Sequence, residues 1–242
     1  MRSELYNIDC LEYMKTLPDG SVDVICTDPP YKYLKHKFDR DFDEQVFFDE
    51  AVRVLKDSGW IILFGRGTSF YRWNTLMNER GLVFKEELVW DKQYNSTVLN
   101  PLNRQHETIS ISVKGNGRIL CNRVPYIEKR EYSTEAMRND IKRILTVTGN
   151  VKELQALLDY LNAGVIFSDS IRGQRINMQA GTKDINRVAS AMRSIREGVR
   201  ESSIIRLLNN TRNTIHPTQK PVRLIERLLQ LVTRGVGGLN LS

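Results

Sequence analysis

Residues 21–31 of the chain read Ser-Val-Asp-Val-Ile-Cys-Thr-Asp-Pro-Pro-Tyr. The first seven form a β-branched, apolar run that is typical of a strand in a sheet. Two adjacent prolines then end the run, because proline has no N–H group to donate to a strand ladder. Asp28-Pro29-Pro30-Tyr31 is therefore predicted at the carboxyl end of a strand, where open α/β sheets bind their ligands.

Strand and helix patterns alternate on both sides of this stretch, which is typical of an α/β fold. The predicted strands are residues 4–8, 21–27, 60–64, 82–90 and 107–113. The predicted helices of the same body are residues 10–17, 45–55, 68–80 and 222–232. In the second of these helices the inward-facing positions are predicted to be Val46, Phe47, Ala51, Val54 and Leu55. Helical spacing prevails beyond Gly115, with predicted helices at 134–145, 151–162 and 183–197.

The composition describes a globular chain of 242 residues, 40% of them hydrophobic and 27% charged, which excludes a disordered or fibrous protein. No apolar run approaches the length of a membrane span, and the first residues lack the pattern of a secretory signal. We therefore expect a cytoplasmic protein that does not bind membranes. Its three cysteines have no metal-ligand spacing, so the sequence predicts neither a disulfide framework nor a metal site.

The positive charge is concentrated in one part of the chain. The formal net charge is +7, and residues 118–212 hold 17 basic and 10 acidic side chains, which accounts for the whole surplus. A basic segment on a neutral body is typical of a polyanion-binding module attached to a catalytic core. A solvated helical surface rich in arginine is the alternative interpretation.

The tetrapeptide Asp28-Pro29-Pro30-Tyr31 fits the chemistry of methylating an aromatic amine. The lone pair of such an amine is delocalised into the ring, so the nitrogen is a poor nucleophile. A carboxylate from Asp28 and a rigidly held carbonyl from Pro29 can each accept one amine hydrogen and favour a pyramidal nitrogen. Tyr31 can stack on the base, which must first leave the duplex. A simple turn after a strand is the alternative interpretation.

These motifs resemble those of DNA amino-methyltransferases of the β order, in which the catalytic motif, the target-recognition region and the cofactor motif follow in that sequence. The resemblance begins with residues 6–12 and the tetrapeptide at 28–31. It continues through four further stretches: Arg53-Val54-Leu55-Lys56-Asp57-Ser58-Gly59 before a strand, Leu88-Val89-Trp90-Asp91-Lys92, Arg104-Gln105-His106-Glu107, and His216-Pro217-Thr218-Gln219-Lys220-Pro221.

The resemblance implies a Rossmann-like fold, S-adenosylmethionine as methyl donor and a flipped base in duplex DNA as acceptor, with adenine preferred over cytosine. Residues 1–117 would be the catalytic α/β part, 118–212 a mainly helical target-recognition insertion, and 213–242 the returning part of the catalytic domain. The implied catalytic set is Asp28, Pro29, Pro30 and Tyr31, and the implied cofactor set is Asp9, His216, Thr218 and Lys220. His106 and Glu107 are interpreted as a hydrogen-bonded corner. Arginines of the insertion are the candidate DNA contacts: Arg172, Arg175, Arg187, Arg193, Arg196 and Arg200.

The chain departs from the family pattern after the helix at 222–232. Members continue with a strand and a glycine-rich cofactor loop, whereas residues 233–242 contain glycines without a preceding strand or an acidic residue. We therefore expect an incomplete fold with weak or no activity, an exposed strand at 22–27 and poor solubility of the chain alone. A second chain that supplies the missing strands, or a homo-oligomer, would cover that strand. A DNA-binding protein without catalysis, and a methyltransferase acting on RNA or a protein amide, remain alternatives.

Overall fold

In the computed structural model, the described residues are 4–31, 41–93, 105–130, 193–208 and 219–233. They belong to two compact units, one within Met1–Asn122 and Ser202–Ser242 and the other within Arg123–Glu201. The three-part division drawn from the sequence stays a prediction. Of the three helices predicted in the insertion, those at 134–145 and 151–162 lie outside the described residues, as does the third up to residue 192.

The elements are numbered along the chain. The helices are α1 (Cys10–Thr16), α2 (Glu44–Val54), α3 (Gly67–Glu79), α4 (Tyr126–Arg130) and α5 (Val222–Leu229). The strands are β1 (Val22–Thr27), β2 (Leu55–Gly65), β3 (Leu82–Asp91), β4 (His106–Lys114), β5 (Arg123–Val124), β6 (Val199–Arg200) and β7 (Ile204–Arg206).

Five strands of the first unit's described residues form a mixed sheet in the order β1-β2-β4-β3-β7. Strand β1 is parallel to β2, and β7 is parallel to β3. Strand β4 lies between β2 and β3 and is antiparallel to both. The carboxyl ends of β1, β2 and β3 and the amino end of β4 therefore meet at one edge of the sheet, and the predicted site lies there.

Helices cover both faces of this sheet. Successive residues of a strand point to opposite sides, so each strand contributes side chains to both faces. Ile62 and Phe64 of β2 pack with Leu224 and Leu228 of α5 on one face. Ile61 and Leu63 pack on the other face with a second cluster, which draws on α1, α2 and α3 and includes Met14, Phe48, Ala51, Trp73 and Met77. This three-layer arrangement confirms the predicted α/β fold.

Two sequence predictions in this unit are wrong. Residues 4–8 form no strand; Leu5 is 99% exposed, and no described strand lies beside them to take up their backbone hydrogen bonds. In α2, Val46 is exposed and Phe48 is fully buried instead. Its buried stripe consists of Phe47, Phe48, Ala51 and Val54, which share one face at helical spacing.

Residues 56–59, which lie between the predicted helix at 45–55 and the predicted strand at 60–64, are part of β2. Val22 pairs with Leu55 and Val24 pairs with Trp60, so an irregularity in the register takes up the additional residues of β2. Among the described residues, β1 pairs only with β2 and is an edge strand. Its residues are half-buried and Asp23 is exposed. The predicted poor solubility and the predicted partner chain stay predictions.

In the second unit, β5 and β6 form a short antiparallel ladder with Arg123 opposite Arg200. Lys129 of α4 forms a 2.6 Å ion pair with Glu201, whose side chain is 4% exposed. Residues 193–197 are helical, in agreement with the end of the predicted helix. Across the parts of the chain that are described, every helix is too short or too polar to cross a membrane.

Candidate active site

Asp28 follows the last residue of β1 directly, as predicted, and both oxygens of its side chain accept hydrogen bonds. The hydroxyl group of Tyr31 donates to Oδ1. The ammonium group of Lys220 donates to Oδ2 over 2.5 Å. The Asp28 side chain is 26% exposed, so it lies at the surface of the sheet edge and not in the core.

Lys220 immediately precedes Pro221, the N-cap residue of α5, and its side chain is only 12% exposed. Besides Asp28 it faces Glu107, with 3.0 Å between Nζ and Oε2. Its Nζ also lies 5.2 Å from the centre of the Phe64 ring and 6.0 Å from that of Trp90, within the range of cation–π attraction. Burial lowers the pKa of Lys220, but the carboxylates of Asp28 and Glu107 outweigh burial and the net shift is upward.

Glu107 links this lysine to a second one. It is the second residue of β4 and lies opposite Trp90 of β3 in the antiparallel ladder. Its Oε1 is 3.1 Å from Nζ of Lys92, which follows β3 directly, and both side chains are less than one-sixth exposed. The result is a half-buried chain of alternating charges, Asp28–Lys220–Glu107–Lys92, which we call the strand-end network.

Tyr31 and the two prolines complete the predicted catalytic tetrapeptide. Pro29 is buried and Pro30 is half-buried. The Tyr31 ring packs against both core clusters, and its centre lies 6.1 Å from that of Trp73 at an interplanar angle of 48°. Its backbone carbonyl accepts a 3.5 Å hydrogen bond from the Ser69 hydroxyl group of α3. The ring is therefore held from the protein side while its hydroxyl group reaches Asp28.

Cys26 of β1 lies beside the network. Burial, with a smaller contribution from the Asp28 charge, raises the pKa of its thiol to about 11. The thiol is therefore neutral at physiological pH. It fills space against the core cluster that contains Phe64 and Trp90.

Gly65, the last residue of β2, and Gly67, the first residue of α3, each have a structural reason to be glycine. A Cβ atom on Gly65 would lie 2.6 Å from Cδ2 of Phe70, so only glycine fits there. Gly67 has a φ of +55° at the start of α3, in the left-handed region that favours glycine. These contacts account for both glycines without a cofactor.

Of the four predicted cofactor residues, Asp9 and Lys220 are described. Asp9 caps α1 by accepting a 2.9 Å hydrogen bond from the backbone N–H of Leu11. Lys220 belongs to the strand-end network and contacts Asp28. His216 and Thr218 lie outside the described residues. The predicted cofactor set therefore stays a prediction.

Three of the six predicted DNA contacts are described. Arg193, Arg196 and Arg200 are exposed in the second unit, whereas Arg172, Arg175 and Arg187 lie outside the described residues. Close to Arg200, Arg123 is partly balanced by Glu197, with 3.6 Å between Nη1 and Oε2. No group of three or more His, Cys, Asp or Glu side chains that could hold a metal ion is found in the described segments.

Sequence reasoning missed Lys92 and interpreted Glu107 as a corner. Both residues belong to motifs that carry the family resemblance, at residues 88–92 and 104–107. The signal that could have found them is topological, because a strand antiparallel to its neighbours brings its first residues to the edge where the other strands end.

Comparisons with known proteins agree with these motifs. A family model described as DNA methylase matches residues 22–237, which is most of the chain. The Type II methyltransferase M.BamHI of Bacillus amyloliquefaciens is 30% identical over 131 residues, covering 47% of this chain and 29% of that protein. The Type II methyltransferase M.HinfI of Haemophilus influenzae is 29% identical over 107 residues, covering 35% and 30%. The matched segments span less than a third of these relatives.

Among solved structures, the M1.HpyAVI–SAM complex aligns with a TM-score of 0.40 and 20% identity, covering 50% of this chain and 58% of that one. A putative DNA modification methylase from Thermus thermophilus aligns with a TM-score of 0.35 and 19% identity, covering 55% and 61%. The extent of the family match decides the assignment: the chain belongs to the DNA methylase family of amino-methyltransferases.

Proposed function

We propose that the protein transfers a methyl group from S-adenosylmethionine to an exocyclic amine of DNA, and that adenine is the preferred base. The observation that carries the proposal is Asp28, a carboxylate at the carboxyl end of β1 with its side chain 26% exposed and fixed by Lys220. Family membership supplies the reaction class. The tetrapeptide Asp28-Pro29-Pro30-Tyr31 favours adenine because it resembles that of adenine-directed members.

In this proposal the tetrapeptide holds the acceptor amine. Asp28 accepts one amine hydrogen and the carbonyl group of Pro29 accepts the other, which localises the lone pair on nitrogen. Tyr31 stacks on the base after it has left the duplex. S-adenosylmethionine, when bound, would supply the electrophilic methyl group and leave as the neutral thioether S-adenosylhomocysteine, and the methylated amine then loses one of its two hydrogens as a proton.

The positive charge of residues 118–212 supports DNA as the partner. Residues 118–212 hold the whole positive surplus of the chain, and the described arginines among the candidates are exposed. Contacts from arginine to phosphate bind DNA of any sequence and weaken as salt is added. We expect the triple variant Arg193→Ala, Arg196→Ala, Arg200→Ala to bind duplex DNA less tightly and with a shallower salt dependence.

The reaction is tested with S-adenosylmethionine labelled in its methyl group and unmethylated phage DNA, followed by analysis of the nucleosides. N6-methyladenine is the expected product. N4-methylcytosine would keep the reaction class and overturn the base preference. Salt-dependent DNA binding by a folded chain without any methyl transfer would overturn the proposal and favour a non-catalytic DNA-binding protein. Transfer to structured RNA in preference to DNA would overturn the choice of acceptor.

A further inference from the structure

The strand-end network poses a problem for an amine acceptor, because both oxygens of Asp28 already accept a hydrogen bond. Tyr31 donates to Oδ1 and Lys220 donates to Oδ2. A target amine also needs one of these oxygens at a suitable angle. Each carboxylate oxygen can accept two hydrogen bonds, so the amine either shares an oxygen with the donor already bound there or replaces that donor. The donor that is held less firmly is the one that can be replaced.

Lys220 is the better anchored of the two donors. Its charge makes the bond to Asp28 stronger than a bond from a neutral hydroxyl group. Glu107 holds the same ammonium group from the other side, and Lys92 holds Glu107. The rings of Phe64 and Trp90 lie over it, and its side chain is 12% exposed. If Lys220 moved away from Asp28, its half-buried ammonium group would lose one of its two carboxylate partners, which costs free energy.

The Tyr31 hydroxyl group is the more easily replaced donor. It is neutral, and an aromatic amine offers a neutral N–H donor to the same oxygen. The exchange removes one neutral hydrogen bond and forms another, so its net cost is small.

We propose that Lys220 is a positioning residue that fixes Asp28 through Oδ2, so that Oδ1 is the oxygen that exchanges the Tyr31 hydroxyl group for the target amine. In the absence of DNA, the Tyr31 hydroxyl group takes the place of the amine. The inference rests on the proposed function of Asp28 as amine acceptor and adds which oxygen acts and what holds it.

The charges around Lys220 agree with a permanent anchor. Asp28 and Glu107 are the carboxylates that face it, and together they shift its pKa upward in spite of burial. Lys92 faces Glu107 and not Asp28. Lys220 therefore stays protonated throughout the physiological range and remains bound to Asp28.

The inference predicts different kinetic changes for the two donors. Lys220→Met leaves Asp28 without its anchor and lowers kcat by about 100-fold, with the KM for DNA changed less than about twofold. Lys220→Arg keeps the charge and restores most of kcat. Glu107→Gln removes the charge of the second carboxylate that holds Lys220, and its kcat should lie between those of Lys220→Met and Lys220→Arg. Tyr31→Phe keeps the ring, removes the competing donor and lowers the KM for DNA about three- to tenfold.

The experiment measures methyl incorporation into unmethylated phage DNA over a range of DNA concentrations for the wild type and these four variants. Lys56→Met is the matched control, because Lys56 of β2 pairs at 2.8 Å with Asp23 of β1, the strand that leads to Asp28, but on an exposed surface. This control should match the wild type. Urea unfolding of Asp28→Asn, Lys220→Met and the double variant is measured in parallel, with an expected coupling of about tenfold in the unfolding equilibrium constant.

Each outcome decides between the proposals. A fall in kcat for Lys220→Met with recovery in Lys220→Arg supports the anchor, and a rise in KM alone overturns it. Weaker DNA binding by Tyr31→Phe overturns the exchange at Oδ1. If the wild type transfers no methyl group, the proposed function fails, and the unfolding cycle then decides the anchor. Coupling between Lys220 and Asp28 supports it, and additivity overturns it.

Discussion

Two clusters of charge in the first unit contain the same kinds of groups and hold them in different ways. In the strand-end network, Lys220 is bound by two carboxylates, those of Asp28 and Glu107. In the second cluster, which we call the Arg53 cluster, Arg53 binds Glu50 and Asp19 but also donates to the backbone carbonyls of Leu17 and Met14 at 2.9 and 2.8 Å.

The difference separates a structural role from a chemical one. Backbone carbonyls at the end of α1 cannot change partner without unfolding that helix end, so Arg53 ties α1 to α2. A carboxylate at the edge of a sheet can change partner while the fold stays intact. We therefore expect loss of the Arg53 cluster to affect stability and loss of the strand-end network to affect activity.

The largest expected effect is on methyl transfer in Asp28→Asn. Asparagine keeps the size of the side chain but removes the charge that draws the amine hydrogens, so the rate should fall by about 100- to 1,000-fold. Asp19→Asn removes an aspartate that is also paired with a basic side chain, but in the Arg53 cluster, and should keep the wild-type rate. Equal losses in the two variants, measured by incorporation of labelled methyl groups, would contradict the division between the clusters.

A second large effect concerns the environment beside Asp28. Burial raises the pKa of Cys26 to about 11 from an ordinary 9.0, so its thiolate fraction at pH 8 should be about 100-fold below that of an ordinary thiol. Cys10 and Cys121 are exposed. Alkylation at pH 8 followed by mass spectrometry should modify these two cysteines and spare Cys26. Rapid modification of Cys26 in the folded protein would show that the end of β1 is accessible to solvent.

A moderate effect on stability is expected from Arg53→Met. The carbonyl groups of Met14 and Leu17 lose their donor, and the link between α1 and α2 is broken, which should lower the Tm by several degrees. Lys56→Met removes an exposed ion pair and should leave the Tm nearly unchanged. Thermal unfolding followed by circular dichroism compares the two, and equal shifts would argue against a structural role for Arg53.

The smallest effect is a pH dependence of the Arg53 cluster. Hydrogen bonds from Arg53 lower the pKa of Glu50 below its ordinary value, against the effect of burial. A carboxyl group with a lowered folded-state pKa stabilises the fold above its unfolded pKa, and this contribution is lost as the pH falls through the folded value. The stability difference between the wild type and Glu50→Gln should therefore be present at neutral pH and vanish in acid. A difference that persists at pH 2 would mean that the Glu50 charge is not its cause.

The sequence predicted the body of the fold because its signals are local. The apolar run at 22–27, the amphipathic helix α2 and the prolines after β1 each determine structure within a few residues. The strand at 4–8 was predicted on equally local grounds and is wrong, since a short strand forms only where a neighbour can take up its hydrogen bonds. Val46 and Phe48 exchanged roles, since Phe48 lies three residues before Ala51 and shares the buried face of the helix with it.

The candidate site was predicted in part for the same reason. Asp28 and Tyr31 are neighbours in sequence, and their position after a strand indicated a ligand-binding edge. The pairing of Asp28 with Lys220 joins residues 192 positions apart, which no local pattern specifies. Glu107 and Lys92 join them only because β4 runs antiparallel between β2 and β3.

The most direct test compares Lys220→Met with Arg53→Met in a single series that measures both the folded fraction and the rate of methyl transfer per folded molecule. The contrast between the clusters predicts that Lys220→Met keeps the folded fraction and loses about 100-fold in rate. Near the midpoint of thermal unfolding, Arg53→Met should have a smaller folded fraction than the wild type. Its molecules that remain folded should transfer methyl groups at the wild-type rate. A Lys220→Met protein with the wild-type rate, or an Arg53→Met protein that is fully folded and inactive, would contradict the division of the two clusters into site and scaffold.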